Sequence, residues 1–152
     1  MASDSEEASE VFAVTLTRAS GFRFEVTALD DEPCEGFAIE DGRQGATGQD
    51  FDAVRVLASA MASCLGSSLV YCLQKSQIQL KSLRVVARGE IARNDRQRLR
   101  VRSLHIELFP EVATADAERM RGCLGVFEDF CIVTESVRKG FPVVVGVESR
   151  AS

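Results

Sequence analysis

Cysteine is the residue type in this chain with the clearest capacity for chemistry. Five cysteines occur, and Cys64 and Cys72 lie eight residues apart, as do Cys123 and Cys131. Eight residues is a little over two helical turns, so each pair would lie along one stripe of a helix. A thiolate is a nucleophile, whereas a buried thiol is only a small hydrophobic group. The pattern favours structural roles for Cys34, Cys72 and Cys123 and leaves both roles open for Cys64 and Cys131.

The number of cysteines and their context restrict this chemistry. An odd number in a chain without an export signal argues against a disulfide framework, so we expect reduced thiols. No CxxC motif occurs and His105 is the only histidine, which argues against a zinc site. The first ten residues are acidic and lack an apolar stretch, so we predict a disordered tail over 1–10 and a cytoplasmic location.

Length and charge narrow the class of protein. With 152 residues, 45% of them hydrophobic and 27% charged, the chain predicts a soluble globular protein with one domain over residues 11–150. Its net charge of −5 argues against nucleic acid as a partner, because phosphate binding needs a basic surface.

One stretch must position Cys64. Within Phe51–Ser76 no charged residue occurs from Val56 to Gln74, and apolar residues recur at three- and four-residue steps, which predicts a helix. The other positions are mostly Ala, Ser and Gly, so the helix lacks a polar face and is expected to be buried. Its length also suits a membrane span, but its four serines favour a buried central helix and no membrane. Such a helix needs more cover than one chain supplies, which an intimate dimer would provide.

The segments on either side of this helix alternate polar and apolar residues, which predicts strands. In chain order they are Val11–Thr17, Phe22–Leu29, Cys34–Glu40, Ser82–Ala92 and Leu99–Leu108. Turn residues join the first two as a hairpin with Arg18 at its tip, and the last two as a second hairpin. The apolar phase slips along the last strand, which predicts a bulge near Arg102 or Ser103, and Pro110 is expected to end it.

Helices dominate the prediction for the remaining residues. Thr114–Phe130 has an amphipathic pattern, and Val133–Lys139 predicts one or two more turns with Thr134 available as a cap and Gly140 as the stop. Phe141–Glu148 predicts a closing strand. Strands, a long helix, strands, a helix and a strand in this order favour a segregated α+β domain over a doubly wound parallel sheet.

Two cysteine-containing segments resemble the motifs of a known family. Leu57–Gly66 (LASAMASCLG), followed by more helix and a hairpin, is similar to the first cysteine motif of the OsmC/Ohr family, named after osmotically inducible protein C and the organic hydroperoxide resistance protein. Phe130–Val145 (FCIVTESVRKGFPVVV) is similar to its second motif, in which a cysteine closes a helix before a turn, a glycine and the last strand. The two cysteines are 67 positions apart, close to the family's separation, and the likeness runs from about Val11 to Val147.

The resemblance implies an OsmC-like α+β fold and a function. Antiparallel sheets would wrap the long central helices of an intertwined homodimer, with two active sites at the interface. The implied activity is that of a thiol-dependent peroxidase acting on organic hydroperoxides. Cys64 would attack, become a sulfenic acid and release the alcohol, and Cys131 would then condense with it to a disulfide. A dithiol reductant would restore both thiols, and no metal or organic cofactor is required.

The resemblance also implies how Cys64 becomes a thiolate. Burial alone raises the pKa of a thiol, so a cation must reach the sulfur. In the family an arginine from the N-terminal hairpin serves, held by a glutamate near the start of the central helix. Arg18 is the first candidate for this arginine, and Arg23 is the second.

The chain departs from the family pattern at two positions. Val54 or Arg55 stands where the family usually has the glutamate. Asp50 or Asp52 could replace it after a change of register, but a role as a helix cap explains each aspartate equally well, and Arg55 itself is a further candidate for the cation. Isoleucine (Ile132) follows the second cysteine, where many members have proline. Two alternatives therefore stay open: a non-catalytic dimer that binds an apolar small molecule at its interface, and a redox sensor without turnover.

Overall fold

The computed structural model describes residues 11–29, 35–41 and 50–151. The predicted tail over 1–10, Cys34 and residues 42–49 before the central helix lie outside these residues. The chain divides into two compact units, Met1–Val56 and Leu57–Ser152. The single domain over 11–150 stays a prediction.

The first unit contains an antiparallel sheet of three strands in the order β1-β2-β3. The strands are β1 Val14–Ser20, β2 Arg23–Ala28 and β3 Phe37–Glu40. The predicted hairpin is confirmed, and its turn holds Gly21 at a positive φ of 46°. Arg18, however, lies inside β1 opposite Phe24 rather than at the tip, because the register shift that follows it places Ala19 in a bulge.

Helix α1 spans Ala53–Lys75 and confirms the predicted long central helix. The Asp52 carboxylate caps its start by accepting a hydrogen bond of 2.9 Å from the N–H of Arg55. At its end Gln77 adopts a positive φ of 55°, and the N–H of Ile78 donates to the carbonyl of Leu73 at 2.9 Å. This is a Schellman ending in which the side chains of Ile78 and Leu73 both enter the core.

The second unit contains the antiparallel hairpin of β4 Leu80–Arg93 and β5 Leu99–Val112. Glu90 pairs with Ser103 and Ile91 with Val101, so Arg102 is the extra residue of the predicted bulge. The expectation that Pro110 ends this strand is wrong, because β5 continues to Val112. Among the described residues this sheet has two strands, so β5 has an edge without a described neighbour, where a proline can be accommodated without loss of a ladder hydrogen bond.

The predicted helix Thr114–Phe130 is interrupted. The observed segments are a 3-10 turn at Thr114–Asp116, α2 at Ala117–Leu124, a second 3-10 turn at Phe127–Phe130 and α3 at Ile132–Lys139. The break falls at Gly125 and Val126, and glycine costs a helix about 1 kcal/mol relative to alanine. Gly140 ends α3 as predicted, with a φ of 74° and an N–H bonded to the carbonyl of Ser136.

The predicted closing strand Phe141–Glu148 is absent, since residues 140–151 carry no regular secondary structure. A strand needs a partner edge, and none of the described strands pairs with this segment. Its apolar side chains remain in solvent, with Val144 and Val147 92% and 88% exposed.

The core of the second unit packs one face of α1 against the β4–β5 hairpin and the helices that follow. Leu69, Leu73 and Cys131 are its most completely buried large side chains. The opposite face of α1 stays open, and Tyr71 on it is 47% exposed, so burial on all sides is not achieved within one chain. By length and composition α1 is able to cross a bilayer, but its buried face is that of a core helix. The architecture is α+β, with antiparallel sheets and a long central helix.

Candidate active site

Cys64 and Cys131 meet in the second unit. Cys64 projects from the middle of α1 and is partly exposed, whereas Cys131 precedes α3 and is 1% exposed. Cys64 packs against the core cluster that contains Cys131, and each thiol affects the pKa of the other. Residues 67 positions apart in the sequence therefore lie in one region of the second unit.

Cys131 is held by the start of α3, and it is this cysteine rather than Thr134 that caps the helix. Its extended backbone (φ −85°, ψ 101°) turns the chain from the 3-10 turn into α3, and its sulfur accepts a hydrogen bond of 3.4 Å from the N–H of Thr134. The guanidinium of Arg138 pairs with Glu128 and Glu135, both at 2.7 Å, and links the 3-10 turn to α3. Thr134 was predicted only as a cap; the spacing Cys-x-x-Thr is the sequence signal for its position beside the sulfur.

The two thiols have different proton affinities. Burial raises the pKa of Cys64, and its contact with Cys131 adds to this effect, while N–H groups at the start of α3 oppose it. Burial also acts on Cys131, but the neighbouring Thr134 hydroxyl, the Cys64 thiol and N–H groups at the start of α3 outweigh it and lower the pKa of Cys131. Within this unit the negative charge of the pair is therefore more stable on Cys131.

Cys64 opens into an apolar groove of about 340 Å³. Tyr71 and Phe130 form part of its wall, with ring centroids 5.7 Å apart in an edge-on arrangement, and the exposed Ile132 lies beside them. None of the described residues that line the groove is charged. The groove therefore suits an apolar substrate, and it does not supply a cation to the sulfur.

The two hairpin arginines that are candidates for the activating cation lie in the first unit, where Arg23 is paired with carboxylates. The Nε of Arg23 donates to Asp50 at 2.9 Å and its guanidinium also reaches Glu25 at 3.1 Å, and both carboxylates, Asp50 first, raise the pKa of Arg23. Arg18 instead donates to the carbonyl of Gly21 at 2.8 Å within its own hairpin.

Asp52, the other candidate for the missing glutamate, and Arg55, the other candidate cation, are bonded to each other. Asp52 caps α1 and forms an ion pair with Arg55, whose side chain is 69% exposed. Asp50 is thus bonded to an arginine of the hairpin. The sequence had left Asp50 and Asp52 as equal candidates to replace the missing glutamate.

The chain matches a known protein family. The OsmC-like protein family matches residues 46–146, which is about two thirds of the chain and includes both cysteines of the pair. The chain belongs to the OsmC-like family. No curated protein sequence gives a significant match.

Solved structures of OsmC/Ohr proteins share the fold. An OsmC-like protein of Vibrio cholerae is 9% identical with a TM-score of 0.70, over 84% of this chain and 94% of that one. Organic hydroperoxide resistance proteins of Elizabethkingia anophelis and Bacillus subtilis are each 17% identical, with TM-scores of 0.63 and 0.58. They cover 87% and 85% of this chain, and 91% of each of those proteins is matched. At these identities the likeness shows the fold.

This OsmC-like chain also contains a second pair of thiols in its core. Cys72 and Cys123 are buried and in contact, and the Cys123 sulfur lies 3.3 Å from the hydroxyl of Ser76. Burial, and then the contact with Cys123, raises the pKa of Cys72 to about 11. Both residues have the buried positions expected from the sequence, and Cys72 is a poor nucleophile at neutral pH. Among the described residues no cluster of His, Cys, Asp or Glu suits a metal ion.

Ionisation of Cys72 is expected to destabilise the protein at high pH. Because its pKa in the folded state is about 11, above the ordinary 9.0, the proton is held more tightly by the folded than by the unfolded chain. The resulting stabilisation is complete below pH 9 and is lost as the pH rises to about 11. Denaturant unfolding at pH 8 and pH 11 should show a smaller loss of stability in Cys72→Ala than in the wild type. Equal losses in the two proteins would contradict this assignment.

Proposed function

We propose that this protein is a thiol-dependent peroxidase that reduces organic hydroperoxides. The observation that carries the proposal is that Cys64 lines an apolar groove and packs against the core cluster that contains Cys131. The Cys64 thiolate attacks the peroxide oxygen, the O–O bond breaks, and the alcohol leaves after protonation. The Cys131 thiol then displaces water from the sulfenic acid to form the disulfide. Two relatives of the same fold are named organic hydroperoxide resistance proteins, which supports the substrate class.

We propose further that Arg23, rather than Arg18, activates Cys64. The chemistry requires a cation beside a sulfur whose pKa is raised by burial, and the described lining of the groove offers none. Arg23 has the carboxylate partner, Asp50, that the family arrangement requires, whereas Arg18 is bonded to its own hairpin. Asp50 then performs the role of the missing glutamate from a position four residues earlier than Val54.

The active form is proposed to be a homodimer in the cytoplasm. OsmC/Ohr proteins are typically dimeric, and the second unit leaves apolar surface uncovered on the open face of α1 and along residues 141–147. A partner that covers these surfaces would remove them from water at about 25 cal/mol per Å². The four described cysteines are free thiols, which is consistent with a reducing compartment.

A second candidate function is the binding of an apolar small molecule, with Cys64 as a sensor or as a structural residue. The raised pKa of Cys64 and the uncharged groove favour it. It differs from the peroxidase in one measurable respect, since it predicts no repeated consumption of hydroperoxide.

Counting thiols tests the proposed function. One equivalent of cumene hydroperoxide should remove two of the five thiols per chain, and peptide mapping should find Cys64 linked to Cys131. Addition of a dithiol should then support many turnovers. Five unchanged thiols would reject the peroxidase and favour the binding protein, whereas oxidation without turnover would favour the sensor.

A further inference from the structure

We propose that Thr134 and the N-terminus of α3 make Cys131 the leaving group when the disulfide is reduced, so that the dithiol attacks the sulfur of Cys64. The inference concerns the reductive half of the cycle and rests on the proposed peroxidase function. It assigns a positioning role to Thr134 and a direction to the exchange reaction.

Access favours attack on Cys64. Its sulfur opens into the groove of about 340 Å³, whereas Cys131 is 1% exposed in the core. The rate of thiol–disulfide exchange depends on access to the sulfur that is attacked, and of the two cysteines only Cys64 is among the residues that line the groove.

The surroundings of Cys131 favour its departure as an anion. The N–H of Thr134 already donates to its sulfur at 3.4 Å, at the N-terminus of a helix where negative charge is stabilised. Thr134 is 97% buried, and among the described residues its hydroxyl has no hydrogen-bond partner.

The sulfur of Cys131 is the acceptor beside this hydroxyl, and an anion there would satisfy it. A buried hydroxyl without a partner is costly, and a hydrogen bond to a charged acceptor is about twice as strong as a neutral one. The opposite pKa shifts of the two thiols agree with this direction, because the thiol with the lower pKa leaves faster.

Reduction of the Cys64–Cys131 disulfide by a dithiol takes two exchange steps. One thiolate of the dithiol bonds to the Cys64 sulfur, the Cys64–Cys131 bond breaks, and its electron pair stays on Cys131. The second thiol of the reductant then attacks the reductant sulfur of the mixed disulfide and releases Cys64. The protein disulfide gains two electrons and two protons, and the dithiol becomes a disulfide.

The first test measures the site of attack. Diamide forms the Cys64–Cys131 disulfide without any hydroperoxide, so the test does not depend on peroxidase activity. The oxidised protein is mixed with the monothiol cysteamine, quenched with acid and mapped by mass spectrometry. We expect the mixed disulfide on Cys64, and a mixed disulfide mainly on Cys131 would overturn the inference. Failure of cumene hydroperoxide to oxidise Cys64, by contrast, would reject only the peroxidase.

The second test isolates the Thr134 hydroxyl. Thr134→Val keeps the shape of the side chain and removes the donor, and Thr134→Ser restores the donor. We expect Thr134→Val to slow reduction of the diamide-formed disulfide by dithiothreitol about three- to tenfold, and Thr134→Ser to recover most of the rate. The thiolate absorbance of Cys131, measured against pH in a Cys64→Ser background, should shift to higher pH in Thr134→Val only. Unchanged reduction rates and unchanged titration in Thr134→Val would overturn the role of the hydroxyl.

Discussion

Replacement of Cys64 by serine is expected to abolish hydroperoxide consumption, with a loss of at least about 10³-fold in rate. A serine hydroxyl stays protonated where a thiol ionises, and it is not oxidised by peroxides under these conditions. The measurement is the disappearance of cumene hydroperoxide with a dithiol present. Retention of activity in Cys64→Ser would exclude the proposed mechanism.

Cys131→Ser separates the two thiol roles. Cys64 should still be oxidised, but its sulfenic acid has no resolving thiol and should accumulate, where dimedone will trap it at one equivalent per chain. Cys72→Ala is the matched control, because Cys72 lies two turns further along α1 in the core and should leave both reactions intact. Trapping at Cys131 in the wild type, with none at Cys64, would reverse the assignment.

Replacement of Arg23 by glutamine is expected to lower the reactivity of Cys64 at pH 7 by at least about tenfold. Loss of one nearby positive charge raises a thiol pKa by one unit or more, and each unit is a tenfold loss of thiolate. The measurement is the rate of Cys64 alkylation by iodoacetamide as a function of pH, read by peptide mapping. The apparent pKa should move upward in Arg23→Gln.

Arg18→Gln is the control for charge, because Arg18 lies on the same hairpin and is bonded to Gly21. It should change the rate by less than about twofold. Asp50→Asn, which weakens the hold on Arg23, should produce an intermediate loss, whereas Asp52→Asn should affect chiefly the cap of α1. A large effect of Arg18→Gln with none of Arg23→Gln would restore Arg18 as the activating residue.

Signals that act over a few residues allowed much of this architecture to be predicted. Apolar residues that recur at three- and four-residue steps, in a run without charged residues, predicted the long helix that is observed as α1. A slip in strand phase located the bulge at Arg102, and glycine marked the end of α3 at Gly140. Each of these depends on backbone propensity or on side-chain alternation, which are properties of the local chain.

Three predictions of secondary structure were wrong. Phe141–Glu148 has the alternation of a strand but no described neighbour to pair with, and the amphipathic pattern of Thr114–Phe130 continues across a break at Gly125. Pro110 remains in β5 because the strand has a free edge there. For Phe141–Glu148 and for Pro110 the deciding factor is whether a neighbouring strand is present, which periodicity does not report. The break at Gly125 instead reflects the low helix propensity of glycine.

The sequence by itself determined the long apolar helix, the fold class and, through two short motifs, the cysteines on which the proposed function depends. The tertiary structure alone decided that Cys131 lies near Cys64 and that Arg23 is held by Asp50. The residues of these two pairings are separated by 67 and 27 positions in the sequence. Long-range pairings follow from how whole elements pack, because packing depends on the summed burial of many side chains and not on the propensity of any one segment.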